Sequence, residues 1–294
     1  TCHMKWDEMR ESDNVEDERG GSSRSSLSAG GMLGGLGAGG VAIAVIAGLI
    51  FNVDPAKILS FLNGQTTAPA SQGVVKAPVN DRDSAFVKSI LGDTEDTWGK
   101  IFKQQLNTNY QAPKLVLFEG SVSSACGSAE TSAGPFYCPA DKKVYLDMGF
   151  FKYLEATAGS DADFARSYAI AHEVGHHVQN LRGTSGKVRQ LQSSSGKTKA
   201  NELSVRIELQ ADCLAGVWGH STAQRGLITD QDVSKALNTA TQIGDDYLQK
   251  QSRQGHVTPD SFTHGTSQQR VTWFKRGLET GDINQCDTFA TNQL

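Results

Sequence analysis

A chain of 294 residues with a formal net charge of −4 and a pI near 6.0 lacks the basic excess that a nucleic-acid-binding surface needs, so no nucleic-acid partner is expected. The length suits one large domain with additional segments. Aromatic residues at 7% and charged residues at 20% are ordinary for a globular protein with flexible parts.

Residues 1–30 are polar, charged and serine-rich and are expected to form a disordered tail. They lead into MLGGLGAGGVAIAVIAGLIF, Met32–Phe51, which is uncharged and about one bilayer thick as a helix. Its glycines weaken a soluble helix more than a membrane one. Gly31, Gly35 and Gly39 recur every fourth residue, a spacing that lets two such helices pack closely. Residues 31–51 are therefore expected to be a transmembrane helix. Arg10, Arg19 and Arg24 precede it, and only Lys57 follows closely. The basic bias predicts a cytoplasmic N-terminus and a domain on the far side of a bacterial inner membrane, periplasmic or extracellular. Residues 52–80 read as a linker, and residues 81–294 as one domain.

Within that domain RDSAFVKSILGDTEDTWGKIFKQQL has helical spacing, with Phe86, Ile90, Trp98, Ile101 and Phe102 as core candidates. KLVLFEG reads as a strand, and PFYCPADKKVYLD as two strands around a Pro-Ala-Asp turn. The remainder looks helical, over 148–158, 161–182, 199–225, 230–251 and 266–279. A small sheet followed by helices predicts an α+β domain, mostly helical. Cys126, Cys138, Cys213 and Cys286 all fall in the part placed outside the cytoplasm, where disulfides persist. Four cysteines allow three pairings. Cys126–Cys138 with Cys213–Cys286 is favoured, because the first pair closes a short loop and leaves the second.

The segment SDADFARSYAIAHEVGHHVQNLRG carries the chemistry. Ser160 and Asp163 suggest a capping box and Gly183 a C-terminal stop. Phe164, Tyr168, Ala171, Gly175 and Val178 share one buried face. His172 and His176 stand one turn apart, roughly 6 Å along the axis, so both rings can reach one ion. This is the pattern H-E-x-x-H. Zinc takes neutral imidazole nitrogens, and Glu173 is placed to hold the metal-bound water and accept its proton. His177 points elsewhere and reads as a surface residue or a supporting one. A third ligand is sought in NELSVRIELQADCLAGVW. Glu208 and Asp212 are four apart on one helix face, a repulsive spacing that a cation would reverse. Glu208 would be the third ligand, and Asp212 would accept the free N–H of a ligating histidine. The rivals are Glu202, which Arg206 would pair with, and Cys213, which points away from Asp212.

HEVGHHVQ followed by ELQADCLAGVW resembles the gluzincin metallopeptidases. KWDEMRESDNVEDERG, ACGSAETSAGPFYCPADKKVYLD, HGTSQQRVTWFKRGL and CDTF extend the likeness, from Met4 onward, to the bacterial neutral zinc metallopeptidases, a membrane-anchored family. The resemblance implies a zincin-like fold and a membrane-anchored extracytoplasmic endopeptidase, with a peptide or protein as substrate. It also suggests His264 as a donor to the oxyanion, with Tyr145 and Arg270 as alternatives. The strand KKVYLD is expected to offer an edge for substrate. Two other readings remain: a zinc-stabilised binding or scaffold protein without turnover, and a zinc amidase acting on cell-wall material.

Overall fold

The computed structural model describes residues 4–19, 81–130, 135–158, 162–229 and 265–294, together with Val233 and Leu237. The expected membrane segment 31–51, the linker 52–80, Ser160, His264 and nearly all of 230–251 lie outside the described residues. Among the described residues no helix is long and apolar enough to cross a membrane.

The molecule is α+β and mostly helical. Its strands are β1 (Val15–Asp17), β2 (Lys114–Phe118), β3 (Ser121–Ser124), β4 (Gly127–Glu130), β5 (Phe136–Cys138) and β6 (Lys143–Asp147). Its α-helices, among the described residues, include α1 (Arg82–Gln104), α2 (Met148–Ala158), α3 (Ala162–Leu181), α4 (Thr184–Ser193), α5 (Lys197–Gln224) and α6 (Ser267–Thr280). The main sheet has the order β1-β2-β6-β5, parallel except where β5 meets β6. The β3–β4 hairpin stands apart.

The apolar run KLVLF follows from burial on both faces, as in a parallel strand covered on each side. Leu115 and Leu117 enter the main core with Val144 and Leu146 of β6. Val116 and Phe118 face a smaller cluster with Val122, Phe136 and Tyr145. Cys126, in the hairpin turn, bonds Cys138 on β5 and so ties the hairpin to this outer cluster. β6 is bonded on both sides, by β2 and by β5. It therefore offers no edge to a substrate, contrary to the sequence expectation; β1 and β5 are the outer strands of this sheet among the described residues.

The expected disordered tail is also corrected. β1 pairs with β2, with Val15 opposite Leu115. Trp6 meets Phe86 edge-on at 5.5 Å. Arg10 binds Glu95 at 2.8 Å and Asp96 at 3.1 Å, and Arg19 bridges Asp17 and Asp81. A strand hydrogen-bonded to β2 lies on the same side of any membrane as β2. Residues 4–19 thus belong with the domain rather than across a bilayer from it. Two of the three arginines behind the orientation argument are bound to carboxylates of the fold, partners that local composition cannot show.

The helical layer positions the site. All five core candidates of α1 are buried. α3 is buried on nearly every face. Asp163 pairs with Arg82 and Arg166, and its expected capping partner Ser160 lies outside the described residues. The αL conformation at Gly183 ends the turn after α3, as expected, and opens the short, unforeseen α4. α3 crosses α5 at Gly175, where a Cβ would stand 3.0 Å from the Ala211 carbonyl oxygen. That close approach sets His172 and His176, on either side of Gly175, against Glu208 and Asp212, on either side of Ala211. α6 crosses α5 still more tightly at Gly277, whose added Cβ would fall 2.0 Å from the Cys213 carbonyl oxygen. The disulfide Cys213–Cys286 locks the same corner. With a sequence separation of 73, chain-entropy arguments assign that bond about 4 kcal/mol.

Candidate metal centre

The two helices bring three ligating groups together. His172 Nε2 lies 2.9 Å and His176 Nε2 3.2 Å from Glu208 Oε2. The three ligand atoms all fall within 4.8 Å of one another. The imidazole rings stand perpendicular, with centroids 4.7 Å apart. Atoms bound about 2.0 Å from one zinc in tetrahedral geometry are roughly 3.3 Å apart, so the spacing suits a single metal ion. Two neutral imidazoles and one carboxylate form a donor set that fits zinc.

Each histidine is held from behind. His172 Nδ1 donates to Asp212 Oδ1 at 2.8 Å. His176 Nδ1 donates to Gln179 Oε1 at 2.8 Å, and the Gln179 amide donates in turn to the Ile207 carbonyl and to Gln210 Oε1 on α5. In the neutral, metal-binding form of each ring both bonds keep the proton on Nδ1 and leave the Nε2 lone pair free for an ion. Burial pulls the His172 imidazolium pKa down, but Asp212 and Glu208 outweigh it and raise the pKa to about 10. His176 is raised in the same way, burial opposing and Glu208 prevailing. Asp212 is fully buried. Burial pushes its pKa up, yet Arg270 and His172 bring it below the usual carboxylate value. The site is thus poised to exchange protons on its histidines for a cation.

His172, His176, Glu208 and Asp212 converge as the helix spacing requires. Glu173 is buried beside them, and its charge acts on His176. The rivals are occupied elsewhere: Glu202 pairs with Arg206, and Cys213 is in a disulfide. Tyr145 donates its hydroxyl to Asp141 at 2.5 Å, within the outer cluster. Arg270 binds Asp212 and the Tyr168 hydroxyl.

His177 corrects the surface reading. It is wholly buried, with Nδ1 2.7 Å from the Tyr137 hydroxyl and Nε2 2.7 Å from the Gln111 carbonyl oxygen. Burial lowers its pKa to about 4. The neutral ring accepts from Tyr137, donates to Gln111 and ties α3 to the sheet. Gln179 and Tyr168 were missed as supporting residues. The signal was present: they stand three after His176 and four before His172, spacings that share a helix face.

A His-Glu-x-x-His helix crossed by a Glu-x-x-x-Asp helix defines a centre able to hold a metal ion. The chain belongs to the family described as "Putative neutral zinc metallopeptidase", which it matches over residues 4–289. It is similar to the uncharacterised protein YpfJ of Escherichia coli K12, with 48% identity over 286 residues covering 97% of this chain and 99% of that protein. It is also similar to an uncharacterised protein of Mycobacterium tuberculosis H37Rv, with 38% identity over 259 residues covering 84% and 86%. No solved structure matches.

Proposed function

We propose that the protein is a zinc-dependent peptidase, an endopeptidase that hydrolyses internal bonds of peptides or proteins. The observation that carries this reading is the convergence of His172, His176 and Glu208 with Glu173 buried between the two histidines in sequence. The two Nε2 atoms and the Glu208 carboxylate would hold the ion. Zinc there would polarise the scissile carbonyl and make water a better nucleophile near neutral pH. Glu173 accepts a proton from the attacking water and returns it to the leaving amine. Asp212 and Gln179 keep the two rings oriented, so little reorganisation accompanies the reaction. His264, outside the described residues, is retained as the donor to the oxyanion.

An extracytoplasmic location fits the two disulfides, which persist in oxidising compartments. The N-terminal segment 4–19 goes with the domain. Because residues 4–19 share a side with the domain, residues 31–51 are proposed as an apolar membrane anchor on composition alone, not as a single-pass span that would part the two.

The test is digestion of a peptide library by the full chain. Cleavage that stops on chelation and returns with zinc supports the reading. Stoichiometric zinc uptake with no cleavage favours a zinc-stabilised binding protein instead.

A further inference from the structure

We infer that Arg270, on α6 and far in sequence from the metal-binding motif, is a positioning residue for the metal centre, acting through Asp212 on His172. This rests on the zinc reading of the site. Arg270 Nε donates to Asp212 Oδ2 at 3.0 Å, and its Nη2 reaches Asp212 Oδ1 at 3.4 Å and the Tyr168 hydroxyl at 2.8 Å. Tyr168 donates to the same Oδ1 that receives His172 Nδ1. The guanidinium fork thus grips the carboxylate from behind while the histidine ring meets its front. A planar fork fixes the plane of a carboxylate in a way that one hydrogen bond from a ring does not. With Asp212 so held, the His172 ring has one direction in which its Nδ1–H is satisfied, and its Nε2 points at Glu208.

A plain structural ion pair between α5 and α6 explains less. Those helices are already joined by the glycine crossing at Gly277 and by the Cys213–Cys286 bond. A buried ion pair adds little net stability over apolar packing. What this pair adds is a fixed orientation of Asp212. Tyr168, one turn before His172 on α3, completes the clamp by bonding both Arg270 and Asp212, so three helices define one carboxylate.

The experiment measures zinc affinity of the full chain by chelator competition, together with the visible spectrum of the cobalt-loaded protein. Arg270→Gln should weaken zinc by about 10–100-fold, the usual range for losing a partner of a ligating histidine, and should shift the cobalt spectrum. Arg270→Lys should recover part of the affinity. Because Arg270 acts through Asp212, the double variant Arg270→Gln with Asp212→Asn should bind no more weakly than Asp212→Asn alone. Wild-type affinity and spectrum in Arg270→Gln, or losses that add in the double variant, would overturn the inference. Should Arg270→Gln not fold, Tyr168→Phe poses the same question: several-fold weaker zinc supports the clamp, and unchanged affinity overturns it. A wild-type chain that takes up no zinc rejects the reading of the site itself, which distinguishes the two failures.

Discussion

An alanine at position 277 should separate α5 from α6 and weaken the site they support. The added Cβ would lie 2.0 Å from the Cys213 carbonyl oxygen, 2.8 Å from Val217 N and 3.0 Å from the Cys213 carbonyl carbon. These are backbone atoms of α5, so no side-chain rotation relieves the contact. Ordinary van der Waals contact begins near 3.4 Å, and the helices must therefore part by more than an ångström at the crossing. Overpacking of this kind costs about 1–3 kcal/mol, with the upper end expected where backbone has to move. At the upper end the folding equilibrium falls by more than about a hundredfold, and the melting temperature by roughly 5–10 °C. Arg270 stands two turns before Gly277 on α6, so the same shift draws its guanidinium away from Asp212 and should lower zinc affinity. Thermal melting followed by circular dichroism, beside chelator competition, reads both effects. Gly99→Ala is the control, since a Cβ there meets nothing within 4 Å and alanine favours a helix interior. If Gly277→Ala melts within a degree of the wild type, the tight crossing is not what holds this corner.

Other expectations follow from the same geometry. Glu208→Ala should abolish tight zinc binding, whereas Asp212→Ala should retain a weaker site, reduced on the order of 10–100-fold; equal losses by metal analysis would erase the distinction between ligand and support. The chelated protein should lose stability as pH rises. His172 has its folded pKa raised to about 10, so its contribution is complete below the unfolded value near 6.5 and disappears as pH climbs toward 10. Urea titrations at pH 6.5 and 9.5 should therefore show a less stable chelated protein at the higher pH; a difference of the opposite sign contradicts the charge pairing. Zinc should shrink that dependence, because it takes over the charge the protons supply. A topology reporter after Leu294 and an epitope before Met4 should be accessible from the same side of the membrane, since β1 pairs with β2. Opposite sides would break that pairing.

Local periodicity made much of this molecule legible. KLVLF announced a strand, and α1 announced its core through Phe86, Ile90 and Trp98, because one stretch of chain holds the whole pattern. His172, His176, Glu208 and Asp212 were readable because two helices each carry a pair at a one-turn spacing. Cys126 and Cys138 were readable because a short loop separates them. The hidden features are pairings between distant elements. β1 is a three-residue polar strand, Val-Glu-Asp, whose partner is about a hundred residues away, so it read as a tail. The edge role assigned to β6 failed because strand order depends on β2 and β5 together. His177 read as a surface residue or a supporting one; it is buried because Tyr137 and Tyr110, from distant parts of the chain, pack against its ring, and the helix's own sequence cannot show them. The link from Arg270 to Asp212 spans 58 residues, and no helical or strand period could expose it.

The most direct measurement of the central claim is a comparison of wild type with Glu173→Gln, each loaded with zinc and assayed on one peptide substrate cleaved by the wild type. Glu173 is assigned the proton transfer and none of the metal binding. The account therefore predicts one zinc per chain in both proteins, matching melting curves, and a rate lowered by about 10²–10⁴-fold in the variant. Undiminished hydrolysis by a folded, zinc-loaded Glu173→Gln would contradict it.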